Sequence, residues 1–308
     1  MSNSIEISGL SKQYLKTAEP ALHDISLDIQ PGELFGIIGP DGAGKTTLFR
    51  ILTTLILPDA GQARVCDFDV VRDYKSIRKI SGYMPGRFSL YQDLSVEENL
   101  RFFATVFNTT PEKNYHLIKD IYVQLEPFKD RRAGKLSGGM KQKLALCCAL
   151  VHQPRVLFLD EPTTGVDPVS RKEFWDMLGA LKREGITILV STPYMDEAAR
   201  CDRIGLMQKG QILEIDTYAS ILEKHRLPVL AVRSSAMHRL LQDIRAYDHC
   251  ASCYSFGSSH HVLLKSYSEA SIEALREYLV SKGHADLQVR PVAADIEDIF
   301  IDLMTHAA

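Results

Sequence analysis

The chain has 308 residues, enough for two modest domains or one large one, and its 45% hydrophobic and 24% charged residues fit a globular protein. A formal net charge of −3 shows no basic excess, so we expect no nucleic-acid partner. The N-terminal MSNSIEISGL lacks the regions of a signal peptide, and the longest apolar run near the middle, 144–151, is too short to span a bilayer. We therefore expect a cytoplasmic protein, with any membrane connection made through a partner.

The first predicted strands are of two kinds. IEISGLSKQY and HDISLDIQ alternate apolar and polar residues, as half-buried antiparallel strands do. LFGIIG is a fully apolar strand, and it is followed by the glycine-rich PDGAG and by the helical pattern KTTLFRILTTLI. A buried strand, a glycine-rich turn and a helix thus follow one another directly.

The middle of the chain, from LSVEENLRFFATVF to Val151, is mostly helical, and Ser95 with Glu98 is typical of a capping box. Two apolar strands follow, RVLFLD and ITILVS, separated by the amphipathic helix RKEFWDMLGALKREG. Apolar strands that alternate with helices indicate a parallel sheet covered on both faces. The helical block, at about residues 87–152, is predicted to be an inserted subdomain.

Beyond about Leu227 the pattern changes to that of a small α+β domain. Strand, helix, hairpin, helix, strand and terminal helix follow in order: PVLAVRS, AMHRLLQDIRAY, CASCYSFG with HHVLLKSY, SIEALREYLVSKG, LQVRPV and IEDIFIDLMTH. This is a split-βαβ arrangement with one extra helix. The predicted domains are therefore 1–226 and 227–308.

The six cysteines are scattered, and reduced thiols are expected in a chain of this length without a secretion signal. Cys250 and Cys253 form a CxxC without a second pair, which favours two packed thiols over a metal or redox site. His260 and His261 lie on opposite faces of a predicted strand, so they cannot chelate one metal together.

The segment GPDGAGKT, Gly39 to Thr46, fits the phosphate-binding pattern G-x-x-x-x-G-K-[ST] between a strand and a helix. Glycines let backbone N–H groups surround phosphate oxygens, and the helix N-terminus adds positive potential. Lys45 is expected to reach the β- and γ-phosphates, and Thr46 to ligate Mg²⁺. The predicted nucleotide contacts here are Gly39, Pro40, Asp41, Gly42, Ala43, Gly44, Lys45, Thr46 and Thr47.

A second half of the site is predicted at VLFLDEP, where apolar residues carry Asp160 to the carboxyl end of a strand. Asp160 is expected to hold Mg²⁺, and Glu161 beside it to polarise the attacking water. Lys45 and Glu161 are the predicted catalytic residues.

The stretch KLSGGMKQKLALCCAL contains Ser137, Gly138 and Gly139 at the start of a predicted long amphipathic helix, whose free N–H groups form an anion site. A complete P-loop makes a second phosphate site unnecessary unless that site serves another molecule. With the P-loop and VLFLDEP, this stretch resembles the ATP-binding subunit of an ABC transporter over about residues 4–220. The resemblance implies an α/β P-loop NTPase with a RecA-like parallel core, antiparallel strands and a helical subdomain.

Several roles are implied by the resemblance alone. LSGGM resembles the family signature, which contacts ATP held by the opposing subunit of a head-to-tail dimer, and TTGVDP resembles the D-loop, centred on Asp167. Tyr14 resembles the aromatic residue that stacks on adenine. The tail IEDIFIDLM resembles that of ATPases serving drug-exporter-like, ABC-2-type permeases. The implied partners are permease subunits in the membrane and a second ATP-binding domain, with this chain on the inner face of the cell membrane.

Two positions depart from the family pattern. Gly86 in GYMPGRF stands where the family usually has a Gln that touches Mg²⁺ and the attacking water, and Gln92 is too far along to replace it. Pro193 stands where the family usually has a His that contacts the γ-phosphate, and proline offers neither a side-chain donor nor an N–H. We therefore expect ATP binding with slow hydrolysis at this chain's own site. A homodimer would have two impaired sites, so pairing with a non-identical cassette is favoured, although Glu161 weighs against a purely regulatory role.

The segment GRFSLYQDLSVEENL is expected to expose Arg87, Phe88, Leu90 and Tyr91. In the resembled family this region receives a short helix of the permease, and aromatic and Arg side chains are enriched in interfaces. Simple packing of Phe88 and Tyr91 in the helical subdomain is an equal alternative.

Other function classes fit less well. A DNA-maintenance ATPase would need a long coiled coil between Lys45 and Asp160, and no sustained heptads occur there. A ribosome-acting type would carry two cassettes, and a GTPase would carry NKxD; neither is found. A non-hydrolysing regulatory subunit shares every motif and differs only in rate.

Overall fold

The computed structural model describes residues 3–15 and 19–306, and the chain divides into two compact units, 1–218 and 219–308. The first unit contains, in chain order, β1 (Ile5–Lys12), β2 (Leu22–Ile29), β3 (Leu34–Ile38), α1 (Lys45–Leu52), β4 (Ala60–Val65), β5 (Phe68–Asp69), α2 (Tyr74–Ile80), β6 (Ser81–Met84), α3 (Val96–Val106), α4 (Tyr115–Tyr122), α5 (Gly138–Leu150), β7 (Val156–Asp160), α6 (Pro168–Arg183), β8 (Thr187–Thr192), β9 (Arg203–Gln208) and β10 (Gln211–Asp216).

Two sheets form the core of this unit. The larger has the order β10-β9-β3-β8-β7-β6, in which β10 pairs antiparallel with β9 and all other pairs are parallel. The smaller, β2-β1-β4-β5, is antiparallel. Strands β3, β7 and β8 are buried at every residue, which explains their uninterrupted apolar sequences. Because parallel strands end at one edge, the segments after β3, β7 and β8 meet there.

Helices α3, α4 and α5 form the helical subdomain, with α3 and α4 packed on α5. The predicted capping box is present, since Ser95 and Glu98 exchange side-chain and backbone hydrogen bonds at the start of α3. Helix α5 differs from the amphipathic stripe expected: its second half is buried on nearly all sides. The reason is that α5 runs from the subdomain into the core against β6.

The second unit begins within α7 (Tyr218–Lys224) and continues with β11 (Val229–Arg233), α8 (Met237–Arg245), β12 (Cys250–Phe256), β13 (Ser259–Leu264), α9 (Glu269–Ser281), β14 (Gln288–Val292) and α10 (Ile296–His306). Its sheet is antiparallel with the order β12-β13-β11-β14. The P-loop core and the split-βαβ arrangement predicted from the sequence are confirmed. No helix in the described ranges is long and apolar enough to cross a bilayer.

Candidate nucleotide-binding site

The P-loop connects the end of β3 to the start of α1, and two of its glycines are required by geometry. A Cβ at Gly39 would lie 2.1 Å from the carbonyl oxygen of Met207, so no side chain fits. Gly44 has φ 108° and a Cβ there would lie 2.4 Å from the Ala21 oxygen. The Gly39 N–H donates to the carbonyl of Thr192 at 3.2 Å, which joins the loop to the end of β8.

Lys45 opens α1 and is only 3% exposed. Its ammonium donates to the carbonyl oxygens of Gly39 at 2.7 Å and Pro40 at 3.0 Å, and it lies 3.1 Å from Glu161 Oε1. A buried ammonium needs such partners, because desolvating a charge without them is costly. The P-loop therefore holds its lysine against the carboxylate that follows β7.

Asp160 is 2% exposed and accepts two hydroxyl donors on one carboxylate oxygen. Ser191 Oγ donates to Oδ1 at 2.7 Å, and Thr46 Oγ1 donates to the same atom at 3.3 Å. Burial raises the pKa of the Asp160 carboxyl above its usual value, and the two hydroxyls oppose that rise. A buried carboxylate beside a threonine hydroxyl is a donor set suited to Mg²⁺.

Glu161 adopts a left-handed backbone conformation, with φ 50°. Its N–H is held by Ser191, lying 3.0 Å from the hydroxyl and 3.1 Å from the carbonyl oxygen. Ser191 therefore fixes both carboxylate-bearing residues, a function that the sequence did not reveal. The apolar run up to Val190 marked the strand, but nothing marked where the hydroxyl would point.

Gly86 lies beside the backbone of Asp160 and beside Glu161, and Pro193 directly follows β8. A Cβ at Gly86 would be 3.1 Å from the Asp160 carbonyl oxygen and 3.8 Å from Glu161 Cβ. Pro193 directly follows Thr192, whose carbonyl binds Gly39. The hydroxyl of Thr192 donates to Glu197, and that of Ser191 donates to Asp160. Neither hydroxyl beside Pro193 is therefore free to act in place of an absent histidine.

The signature residues are grouped with Asp167. Ser137 caps α5 by accepting from the Met140 N–H at 3.3 Å. Asp167 caps α6 by accepting hydrogen bonds from Ser170 and from the Val169 N–H, which lower the pKa of its carboxyl. A Cβ at Gly138 would lie 3.6 Å from the Gly165 oxygen and one at Gly139 would lie 2.8 Å from Ser170 Oγ. The structure thus places Gly138 beside Gly165 of the D-loop segment and Gly139 against the first turn of α6, which Asp167 caps.

Tyr14 lies beside the first turn of α1. Its hydroxyl is 3.4 Å from Thr47 Oγ1, and its side chain is 36% exposed. This location is next to the P-loop, and stacking on adenine stays a prediction.

A cavity of about 420 Å³ lies between β6, α3 and α5. Its lining includes Leu90, Phe103, Phe107 and His152, and the last two rings stack 3.7 Å apart. The expectation that Leu90 is exposed was wrong: it is 8% exposed and packs into the wall, because the loop folds inward at that point.

The other three residues of this segment remain at least partly accessible. Arg87 is exposed, Phe88 is half-buried beneath the Lys141 ammonium, and Tyr91 is 51% exposed and packs edge-on against Phe102.

Asn99 on α3 holds the loop that borders this cavity and was not singled out from the sequence. It is fully buried, and its Nδ2 donates to the carbonyl oxygens of Tyr91 at 3.0 Å, Leu94 at 3.2 Å and Ser95 at 2.9 Å. Its Oδ1 accepts from the Tyr91 N–H at 3.0 Å. One amide side chain thus satisfies loop backbone groups that would otherwise be hydrogen-bonded within secondary structure.

In the second unit the residues considered from the sequence have ordinary partners. His260 contacts the Met237 carbonyl at 2.8 Å, and His261 contacts Asp298 at 2.9 Å. Cys250 and Cys253 are free thiols, and burial raises the pKa of both. Across 3–15 and 19–306, no cluster of three or more His, Cys, Asp and Glu side chains has a metal-binding arrangement.

Residues 22–164 match the family described as ABC transporter. The chain is 38% identical over 312 residues to the "Probable multidrug ABC transporter ATP-binding protein YbhF" of Escherichia coli (strain K12), covering 98% of this chain and 52% of that protein. It therefore spans about half the length of that relative. It is 32% identical over 311 residues to the "Nod factor export ATP-binding protein I" of Rhizobium sp. (strain N33), covering 97% of this chain and 96% of that one.

Among solved structures, the cbiO1 protein of Clostridium perfringens, part of the ABC transporter complex cbiONQ, is similar with a TM-score of 0.63 and 26% identity. The match covers 73% of this chain and 94% of that one.

Proposed function

Because this chain belongs to the ABC transporter ATP-binding proteins, we propose that it binds and hydrolyses ATP with Mg²⁺ to drive a membrane permease, in the direction of export. The convergence of Lys45, Thr46, Asp160 and Glu161 at the end of the parallel sheet carries the proposal. Export is supported by the names of relatives, one described as a multidrug transporter protein and another as an export protein.

The residues have separable tasks in this site. The P-loop N–H groups and the Lys45 ammonium bind the phosphates, and Tyr14 is the proposed contact for the base. Thr46 and Asp160 would hold Mg²⁺, which when bound neutralises charge that develops on the phosphates. Glu161 would orient the attacking water and accept its proton, because its carboxylate lies at the same edge as Lys45.

Hydrolysis at this site is proposed to be slow. Gly86 and Pro193 supply no side-chain donor next to Asp160 and Thr192, and the neighbouring hydroxyls are engaged elsewhere. Loss of one transition-state donor typically lowers turnover by about 10²–10³, and two losses do not simply multiply. Binding should suffer less, since the P-loop and Asp160 are complete.

The proposed assembly is a head-to-tail pair of ATP-binding domains. Ser137, Gly138, Gly139 and Asp167 would contact ATP bound by the second domain, and a non-identical partner would supply one site of normal rate. The half of the Escherichia coli relative that this chain does not match is long enough to hold another such domain.

Docking of the permease is proposed at the cavity bordered by Leu90, Phe103 and Phe107, together with the exposed Tyr91 and Phe102, of which Phe102 packs against Phe103. Apolar, aromatic-rich grooves suit an amphipathic helix. Docking there would place the chain on the inner face of the cell membrane. The absent donors at Gly86 and Pro193 favour one second candidate, a regulatory subunit that binds ATP without hydrolysing it.

The test is to measure binding of a fluorescent ATP analogue and steady-state phosphate release with the purified chain. We expect Mg²⁺-dependent binding that Lys45→Ala weakens strongly, and slow turnover that Glu161→Gln abolishes without weakening binding. Brisk, Glu161-dependent turnover without any partner would contradict the slow-site proposal. ATP binding without Glu161-dependent turnover, measured with the chain alone and with the permease, would favour the regulatory candidate. Failure of the chain to copurify with a polytopic membrane protein would contradict the transport function.

A further inference from the structure

The first turns of α5 and α6 lie side by side at unusually close approach. A Cβ at Gly139 would lie 2.8 Å from Ser170 Oγ and 3.0 Å from Ser170 Cβ. The α5 turn carries Ser137 and Gly138, and the α6 turn carries Asp167 as its cap. The two segments proposed to contact the partner's ATP, the signature turn and the Asp167 turn, therefore lie on helix ends that are in contact.

A second contact lies one turn further along both helices. Lys143 Nζ is 2.7 Å from Glu173 Oε2, and it also donates to Gln124 Oε1 just beyond α4. Position 143 is four residues after Gly139 and position 173 is three after Ser170, so the helices run in the same direction through both contacts. Two points on each helix are enough to set their relative register.

The second contact requires opposite charges, and its two side chains are buried to different extents. The Lys143 side chain is 11% exposed whereas that of Glu173 is 47% exposed. Burying an ammonium without polar partners is costly, whereas a half-exposed carboxylate can turn to water, so Lys143 depends on Glu173 more than Glu173 depends on Lys143. Reversing the charge at 143 would place two carboxylates together and push the helices apart.

We propose that Lys143 is a positioning residue that, through Glu173, holds the signature turn of α5 in register with the Asp167 turn of α6. The two turns then act as one rigid surface toward ATP bound by the second domain. This inference rests on the proposed function, because it concerns the site that this chain completes in its partner. Lys143 is not one of the proposed nucleotide contacts in its own chain's site, where Lys45 is proposed to bind phosphate.

The experiment compares Lys143→Glu, Glu173→Lys, the double exchange and Lys143→Arg in the full-length chain. Amide hydrogen exchange should rise about tenfold in peptides covering 137–143 and 167–173 for the two single reversals, and P-loop peptides should be unchanged. The double exchange should recover the protection from hydrogen exchange that the single reversals lose, and Lys143→Arg should retain it. In the assembled transporter, kcat should fall about tenfold in the single reversals while the Kd for ATP stays within about twofold.

The matched control is Arg101→Glu, which reverses one member of the exposed Glu97–Arg101 pair on α3 and should leave all readings unchanged. Unaltered exchange in Lys143→Glu, a parallel loss of ATP affinity, or failure of the exchanged pair to recover would each overturn the inference. Absence of ATP binding by the unaltered chain would instead contradict the proposed function, so the two failures are distinguishable.

Discussion

Ser191 and Thr192 stand directly before Pro193, and their hydroxyls point to Asp160 and Glu197 rather than toward a nucleotide. A serine or threonine could in principle replace a missing donor, but here both are committed to carboxylates. Raising the turnover that we propose to be slow therefore requires new side chains at 86 and 193 themselves.

Gly86→Gln combined with Pro193→His should raise turnover by about 10²-fold with little change in the KM for ATP. The backbone of Gly86 is not left-handed, and its new Cβ would need only a few tenths of an ångström of adjustment from the Asp160 oxygen at 3.1 Å. Phosphate release measures the effect. Adding Glu161→Gln is the control and should abolish the gain; unchanged turnover in a doubly substituted chain that still binds ATP would refute the slow-site explanation.

His152 gives the protein a pH dependence below neutrality. Burial lowers the pKa of His152 from 6.5 to about 4, so the unfolded chain takes up a proton before the folded one does. Its contribution to stability is present above pH 6.5 and is lost as the pH falls toward 4. Between pH 7.5 and 5 the loss should be about 2 kcal/mol.

Urea unfolding at these two pH values measures that loss, and His152→Phe should remove it while keeping an aromatic ring against Phe107. Substituting the exposed His116 is the matched control and should leave the pH dependence as in the unaltered chain. An identical pH dependence in His152→Phe would count against the assignment.

Residues defined by their spacing could be predicted, whereas residues defined by their partners could not. Lys45, Thr46 and Asp160 come together as expected, because a P-loop and an apolar strand ending in Asp dictate that meeting. Ser191 and Asn99 could not be recognised in the sequence, because their roles depend on which backbone groups the fold brings to them.

At the scale of elements, α3 organises the loop beside the cavity through Asn99. Asn99→Ala would leave the Tyr91 N–H and several carbonyl oxygens without their buried partner. We expect a loss of about 2–4 kcal/mol in the free energy of unfolding and weaker copurification with the permease. Arg101→Ala, on the exposed side of the same helix, is the control and should leave the free energy of unfolding nearly unchanged. Urea unfolding measures both variants. If Asn99→Ala lowers the free energy of unfolding no more than this control does, the loop does not depend on Asn99.

The fully apolar strands β3, β7 and β8 were predictable, but the elements β4, β5, α2, β9 and β10 were not. Strand β4, AGQARV, has four exposed positions and gains its structure by pairing with β1, so its own sequence carries little strand character. Helix α5 misled for the opposite reason, since it is buried on nearly all sides in its second half and lacks the stripe of a surface helix.

At the scale of the whole molecule, each unit has its own hydrophobic cluster. Residues 225–228, between α7 and β11, have no regular structure, and the Arg226 side chain is 78% exposed. Limited trypsin digestion should therefore cut first at Arg226 or Lys224 and leave two resistant fragments, with ATP binding retained by the larger one. Mass spectrometry identifies the cut, and Arg226→Gln should slow it. Early cleavage inside β11–β13 would contradict an independently folded second unit.

The contact between Lys45 and Glu161 makes the carboxylate a competitor of the incoming triphosphate. In the proposed site a bound phosphate would replace Glu161 as the anionic partner of the ammonium, so the measured affinity would include the free energy of breaking that contact. Glu161→Gln removes the negative charge that competes for Lys45 as well as the base, and this variant should bind ATP more tightly than the native chain does. A dissociation constant obtained with that variant therefore describes a site without the Lys45–Glu161 ion pair. The affinity of the native protein must be measured with Glu161 in place.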